Sequence, residues 1–418
     1  MGGSPIPLLV LGPPRYVGPL GVMRSLGARG VSVYGLAHRR PSAASVSRFC
    51  SGTIAVGDDG RPSADPERDM AALLAAGRRL GKGTVLMVGS DEWAFFVADR
   101  AAVLAEWFTF PIVSPALVRE LATKDGLYRL ALEHGVPTPR IAFPRTTAEA
   151  TTIARELQYP VFMKPVVSRP RGQWKDIAES PDALLANYPL MAEPGAEPNV
   201  MFQEYIPGRD QDVWMFNGYF DRAGRCLAAF TGQKLRQHPA HMGIATFGIC
   251  RHNQEVIDIT VRLLSRLGYW GLVDIGYRFD RRDGQYKVLD INPRLGGAFR
   301  LFVDQNGLDV ARAMYLDLTG QPVPAVQPWE GRHWIKEDAD LIALKYYRHL
   351  DGLKVTSWLR SVVEADEGAT FSIRDPLPFL LSLGLLFQQT VTRRWSRRLR
   401  RGQRAIRRWI EQWRPAPA

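Results

Sequence analysis

The sequence predicts a multidomain protein of mixed α/β and α+β class, and three observations carry that reading. Its 418 residues suffice for two or three domains with full cores. Residues 8–36 run strand, Gly/Pro turn, helix, strand, the opening of an α/β sheet. Residues 200–231 instead alternate apolar and polar positions around turns, as antiparallel meanders do.

Composition excludes several classes. Hydrophobic content of 46% and charged content of 23% are those of a soluble globular chain. Residues 1–12 lack the basic start of a secretory signal, and Leu8–Leu11 is only strand length. The late apolar run Leu377 to Phe387 is 11 residues long, against the roughly 20 of a membrane span, and holds Pro378 and Gly384. Three widely spaced cysteines (Cys50, Cys226, Cys250) suit a reducing compartment and form neither a disulfide frame nor a zinc motif. A cytoplasmic location is therefore expected. The net charge of +12 is local: residues 393–414 hold ten arginines and one acid, leaving +3 elsewhere. With no basic groove on the body, a nucleic-acid partner is not expected.

In residues 1–113, Leu8–Leu11, the Gly12-Pro13-Pro14 turn, a helix to Gly30 and Val31–Leu36 make a βαβ unit without a GxGxxG fingerprint. A helix at Asp65–Leu80 and a strand at Thr84–Val88 follow. Gly89, Ser90 and Asp91 then sit where substrate loops lie, with Asp91 also expected to cap the next helix. Residues 114–196 begin at Ser114-Pro115, pass Lys124, and stop a helix at Gly135 and Pro137. A strand ends in Lys164, whose buried ammonium calls for an anion. The basic loop Ser168–Lys175 and the Pro/Gly/Glu linker 192–198 follow.

Residues 197–320 are expected to form a second sheet from Val200 through Trp214–Phe220 and Arg225–Thr231. A helix at Gln254–Leu267, strands at Leu272–Tyr277 and Tyr286–Ile291, and a helix at Val310–Thr319 complete it. Within Val288-Leu289-Asp290-Ile291-Asn292-Pro293-Arg294, side chains alternate faces, so Asp290 and Asn292 point the same way about 7 Å apart. That oxygen-rich pair suits Mg²⁺, and Arg294 adds a permanent charge suited to a phosphate. Residues 321–390 read as a C-terminal extension and 391–418 as a tail.

The order Lys124, Gly135-Val136-Pro137-Thr138-Pro139, Lys164, Gln203-Glu204-Tyr205-Ile206-Pro207-Gly208 and Asp290-Ile291-Asn292-Pro293-Arg294 resembles the ATP-grasp superfamily over about residues 1–320. Phe230–Gln237 and Asp375-Pro376-Leu377-Pro378 resemble its branch of predicted carboxylate–amine ligases. The resemblance implies an open α/β pre-ATP-grasp domain, then an ATP-grasp fold of two α+β subdomains, then a helical extension. It implies ATP and Mg²⁺, or Mn²⁺ in its place, as cofactors. Lys124 and Lys164 would hold the α- and β-phosphates, with Lys175 of the lid loop in the same nucleotide-binding set. The hinge Gln203, Glu204, Tyr205 and Ile206 would receive adenine, with Glu204 and Ile206 bonding it through the backbone. Asp210 would bind ribose, Lys234 and Arg236 would lie near the γ-phosphate and acyl phosphate, and Arg294 would clamp triphosphate or substrate. Asp290 and Asn292 would be metal ligands. The second acid that the superfamily uses aligns with Gly276, and Asp274 on the same face takes its place.

The implied reaction joins a small-molecule carboxylate to an amine through an acyl phosphate, releasing ADP and phosphate. Placement and cations carry such a transfer, so no Ser or Cys nucleophile is required. No Ser-His-Asp pattern competes, and His238 and His241, split by Pro239, are expected in a loop over the nucleotide rather than on a metal. Two alternatives follow from the departures and the family: an ATP-binding protein with lapsed ligase chemistry, and a carboxylase- or carbamoyl-type enzyme. In the tail, Val391, Trp395, Leu399, Ile406, Trp409, Ile410 and Trp413 recur at helical spacing opposite the arginines. That pattern predicts a peripheral contact with an anionic membrane, with packing on protein as the alternative. Self-association is left open.

Overall fold

The computed structural model describes residues 4–166, 176–191 and 199–388. The lid loop with Lys175, the 192–198 linker and the 391–418 tail lie outside the described residues.

An all-parallel five-stranded sheet comes first, in the order Gly52–Ile54, Val33–Leu36, Leu8–Leu11, Thr84–Val88, Phe108–Thr109. Its central strand, Leu-Leu-Val-Leu, is buried along its whole length, which is why it reads as an unbroken apolar run. The helix after Thr84–Val88 is Asp91–Asp99, and its N-cap is Ser90, whose Oγ accepts from Trp93 N at 3.4 Å. The expected cap at Asp91 is thus corrected by one residue, which releases the Asp91 carboxylate for another partner.

A four-stranded antiparallel sheet follows, ordered Ile141–Ala142, Val200–Glu204, Val161–Pro165, Asp176–Ala178. Val200–Glu204 therefore belongs to this sheet rather than starting the next one. It pairs with the lysine-bearing strand, Lys164 opposite Met201, because both have an apolar face to bury against Ala150, Ala154 and Tyr188.

The largest sheet has seven strands, ordered Gln285–Asn292, Gly271–Asp280, Val213–Phe220, Cys226–His238, Ile244–Cys250, His333–Ile335, Glu367–Gly368. One face packs on the helices Pro115–Ala122, Lys124–Glu133 and Gln254–Arg266 through Leu121, Leu127, Leu263 and Ile275. The other shares a core with the parallel sheet, where Phe230, Phe299, Phe302 and Met314 meet Leu8, Val10, Leu20 and Met23. The expected boundary near residue 113 is therefore a change of sheet, not a break in the core.

The extension adds the edge strands His333–Ile335 and Glu367–Gly368, the helices Glu337–Leu350 and Val355–Val363, and a helix at 377–388. Buried and half-buried charge pairs hold it. Glu367 accepts from Arg300 at 2.7 and 2.8 Å and from Arg332 at 2.5 Å. Asp375 accepts from Arg24 Nε at 3.0 Å, Ser47 Oγ at 2.7 Å and Arg48 N at 2.9 Å. Among the described residues no helix is long and apolar enough to cross a membrane.

Candidate functional site

A cavity of about 1110 Å³ lies between the four- and seven-stranded sheets. The hinge residues Gln203, Glu204, Tyr205 and Ile206, the cations Lys124, Lys164, Lys234 and Arg278, and the acids Asp210 and Asp290 line it. Strand register builds the polar corner that meets the cavity at Asp290. Asn217 faces Asp274, Asp274 faces Asn292, and Gly276 faces Asp290 across three adjacent strands. Asn217 Nδ2 donates to Asp274 Oδ1 at 2.9 Å. Asn292 Nδ2 donates to Asp290 Oδ2 at 3.2 Å and to Asp274 O at 3.1 Å. Two carboxylates and an amide oxygen are thus gathered in one corner.

Gly276 has a local reason. A Cβ there would collide with Asp290 Oδ1, so the Asp290 carboxylate fills the space an acid at 276 would need. Gly296 likewise makes room for Asp274, since its Cβ would lie 2.6 Å from Asp274 Cγ. The second carboxylate of this corner therefore comes from Asp274. No cluster of three His, Cys, Asp or Glu suited to a metal exists among the described residues. Mg²⁺ needs only one or two carboxylates when phosphates and water complete its shell, so the donor set fits. Asn217 Oδ1 is buried without a partner, one more acceptor beside this corner.

Electrostatics divide the two acids. Burial pushes Asp274 above the usual carboxylate range, with Arg294 opposing and Asp290 adding to the rise. Burial acts upward on Asp290 too, but Lys124, Lys234 and Lys164 outweigh it and hold that carboxyl low. Burial in turn lowers the Lys234 ammonium, against Asp290, Asp274 and Asp210. Lys234 Nζ donates to Gly243 O at 3.0 Å, and Lys164 Nζ to Gln203 Oε1 at 3.0 Å while lying 4.6 Å from the Phe162 ring centroid.

One expected site residue is already consumed by a partner, and a second lies outside the main cavity. Arg236 borders the cavity, but its guanidinium is buried in a two-pronged pair with Asp340 at 2.9 and 2.7 Å and stacks 4.3 Å from the Phe247 centroid. It serves as a strut for the extension rather than a phosphate cation. Arg294 faces away from the main cavity. Its Nε donates to Asp91 Oδ1 at 2.9 Å and its Nη2 to Asn292 Oδ1 at 3.0 Å, with Asp274 at 3.7 Å. It links the metal corner to the loop after Thr84–Val88. Asp210 lines the cavity but is already engaged, accepting from Gln237 Nε2 at 2.9 Å, His241 Nδ1 at 3.0 Å and the Tyr347 hydroxyl. The Glu204 side chain points out of the hinge, accepting from Arg282 Nη2 at 2.5 Å and Arg140 N at 3.0 Å. His241 borders the cavity, whereas His238, expected in the same loop, ends the strand Cys226–His238 and does not border it.

Three contributors escaped the sequence reading. Asn217 is the one uncharged polar side chain in the buried strand Val-Trp-Met-Phe-Asn-Gly-Tyr-Phe, which was its signal. Arg278 shares a strand face with Asp274 and Gly276, so its cation enters the same cavity, and its Nε is buried without a partner. Tyr347 arrives from the extension and carried no local signal.

A wide cleft between two sheets, with lysines converging on an acidic corner, suits a polyanion beside a divalent cation. No family model matches the chain. It is 25% identical over 246 residues to a D-aspartate ligase of Enterococcus faecium, across 55% of this chain and 58% of that relative. The chain thus spans little more than half the length of this curated relative. An L-amino acid ligase from Bacillus licheniformis superposes with a TM-score of 0.56 at 14% identity, covering 79% of this chain and 76% of that one. The biotin carboxylase domain of Hydrogenobacter thermophilus 2-oxoglutarate carboxylase, solved with MgADP and bicarbonate, gives 0.59 at 16% identity over 79% and 74%. These likenesses show that the chain has the ATP-grasp fold.

Proposed function

We propose that the chain is an ATP-dependent ligase of the carboxylate–amine branch. It joins a carboxylate to an amine through an acyl phosphate and releases ADP and phosphate. The observation that carries this reading is the convergence of Lys124, Lys164 and Lys234 on Asp290 at the floor of the interdomain cavity. Adenine would enter between the sheets at Gln203–Ile206, with Asp210 toward the ribose. The lysines and Arg278 would neutralise the phosphate chain. Asp290, Asn292 and Asp274 would hold magnesium, or manganese, which when bound offsets the charge of the transferring phosphoryl group. The similarity to the D-aspartate ligase supports amide formation as the outcome.

Purified protein with ATP, Mg²⁺ and a panel of carboxylates and amines should release ADP in an amine-stimulated manner. ATP binding without turnover across that panel would favour lapsed chemistry, a reading supported by the loss of Arg236 to Asp340. Bicarbonate-stimulated ADP release would instead favour a carboxylase. The Arg/Trp pattern of residues 391–418 supports peripheral attachment to an anionic membrane face. Deleting it should release the protein from anionic vesicles and leave ATP binding intact.

A further inference from the structure

The helix at 377–388 reverses the usual order of a surface helix. Its water-facing positions are Leu377, Leu380, Leu383, Gly384, Phe387 and the terminal Gln388, which at 100° per residue fall within about 140° of one another, and the four large side chains among the first five are apolar. Phe387 is 72% exposed, and Ile373, just before the helix, is 87% exposed. Residues 376–388 carry no charge. Phe371 extends the apolar strip, its ring packing edge-on against Phe379 with centroids 5.3 Å apart. Soluble monomers rarely leave such a strip open to water.

Two further facts decide what covers it. The chain continues directly into a segment with ten arginines and one glutamate, a charge that complements anionic headgroups and would repel a second copy of itself. The entry to the helix is also pinned: Asp375 is 1% exposed and holds Arg24, Ser47 and Arg48 of the parallel-sheet domain. Arg24 in turn donates to Thr370 O at 2.7 Å and Asp375 O at 3.0 Å. The apolar run Leu377 to Phe387 is 11 residues, well short of the roughly 20 that a crossing of the hydrocarbon core takes, so it suits the interface.

We propose that Phe371, Ile373, Leu377, Leu380, Leu383 and Phe387 form a folded plate that inserts into the interface of an anionic membrane. The arginine segment supplies attraction, and Asp375 fixes the orientation of the body. This rests on the peripheral attachment proposed above and adds a second contact to it, since apolar insertion and basic attraction together anchor where either alone is weak.

The test is flotation of the full chain with vesicles of phosphatidylcholine alone and of phosphatidylcholine with one-third phosphatidylglycerol. The protein should float with the anionic vesicles only. The double variant L380E/F387E, with the tail intact, should lose at least about tenfold in partitioning, because two carboxylates are placed in the acyl boundary. Its ATP binding and melting temperature should not change. Ile373→Glu, outside the helix, should weaken flotation independently. Unchanged flotation of both variants, alongside loss on deleting 391–418, would overturn the plate and keep the tail as anchor. A wild-type chain that floats with neither vesicle would overturn both readings. So would a self-associated chain that ignores vesicles and that L380E/F387E converts to monomer.

Discussion

At the residue scale, the cavity distinguishes cations available to a ligand from those already spent. Arg278 lines the cavity with Lys164 and Lys234 and has a buried Nε without a partner, while Arg236 is consumed by Asp340. Lys164→Ala and Arg278→Ala should each weaken ATP binding by about ten- to a hundredfold, the value of a charge-assisted hydrogen bond of about 1.5–3 kcal/mol, as read by titration calorimetry. Unchanged affinity would remove the residue from the phosphate site. Gly276→Asp tests the corner in the opposite sense. The new carboxylate would take the space of Asp290 Oδ1, so an added acid at this position should lower stability by about 1–3 kcal/mol of overpacking and abolish turnover. Higher activity in that variant would show that the Asp274–Asp290 arrangement is a defect. Much of this corner was legible, because alternation alone puts Asp290 beside Asn292 and Asp274 beside Gly276. The fate of Arg236 was not: its partner lies 104 residues away, in a helix with no motif to flag it.

At the element scale, the hairpin between Gly271–Asp280 and Gln285–Asn292 fastens one sheet to the other. Asp280 is buried and accepts from Arg282 Nη2 at 2.6 Å and Lys287 Nζ at 2.7 Å, while the same Arg282 reaches Glu204 in the four-stranded sheet. The Arg282 hydrogen bonds, joined by Lys287 and opposed by burial, hold the Asp280 carboxyl well below the usual range. A depressed acid gives stability that is fully present above its unfolded pKa of about 3.9 and is lost as pH falls toward the folded value. Asp280→Asn should therefore lower stability at neutral pH by about 1.5–3 kcal/mol, with the gap to wild type closing below about pH 4 in denaturant melts. A gap that stays constant down to acid pH would assign the effect to packing instead of charge. The hinge between these sheets also marks where the sequence misled. The pattern of Val200–Glu204 announces a strand, but its neighbours are chosen by which sheet has an open edge and a face to cover, and alternation carries no such information. The short strand His333–Ile335 was hidden because three residues have no readable period.

At the scale of the whole molecule, the parallel-sheet domain reaches the acidic corner through Asp91, next to the backbone bond from Leu295 N to Val88 O at 3.0 Å. Asp91 sits just beyond the C-terminal end of Thr84–Val88, where open α/β sheets present ligand loops, and it holds Arg294, whose other nitrogens touch Asn292 and approach Asp274. Lys124, Lys164 and the hinge lie on the other side of that corner, lining a cavity that Arg294 does not border. An acceptor carboxylate approaching from the parallel-sheet side would meet Arg294 first and exchange with Asp91 for its guanidinium. Asp91→Asn should thus lower kcat/KM for the carboxylate substrate by about tenfold or more, the cost of misplacing a positioned charge, while ATP affinity stays at the wild-type value. Lysine at position 294 would keep the charge but lose the fork that spans Asp91 and Asn292, so Arg294→Lys should show the same split. If both variants lose ATP affinity in proportion to turnover, the Asp91–Arg294 pair is a strut of the metal corner, and substrate must enter elsewhere.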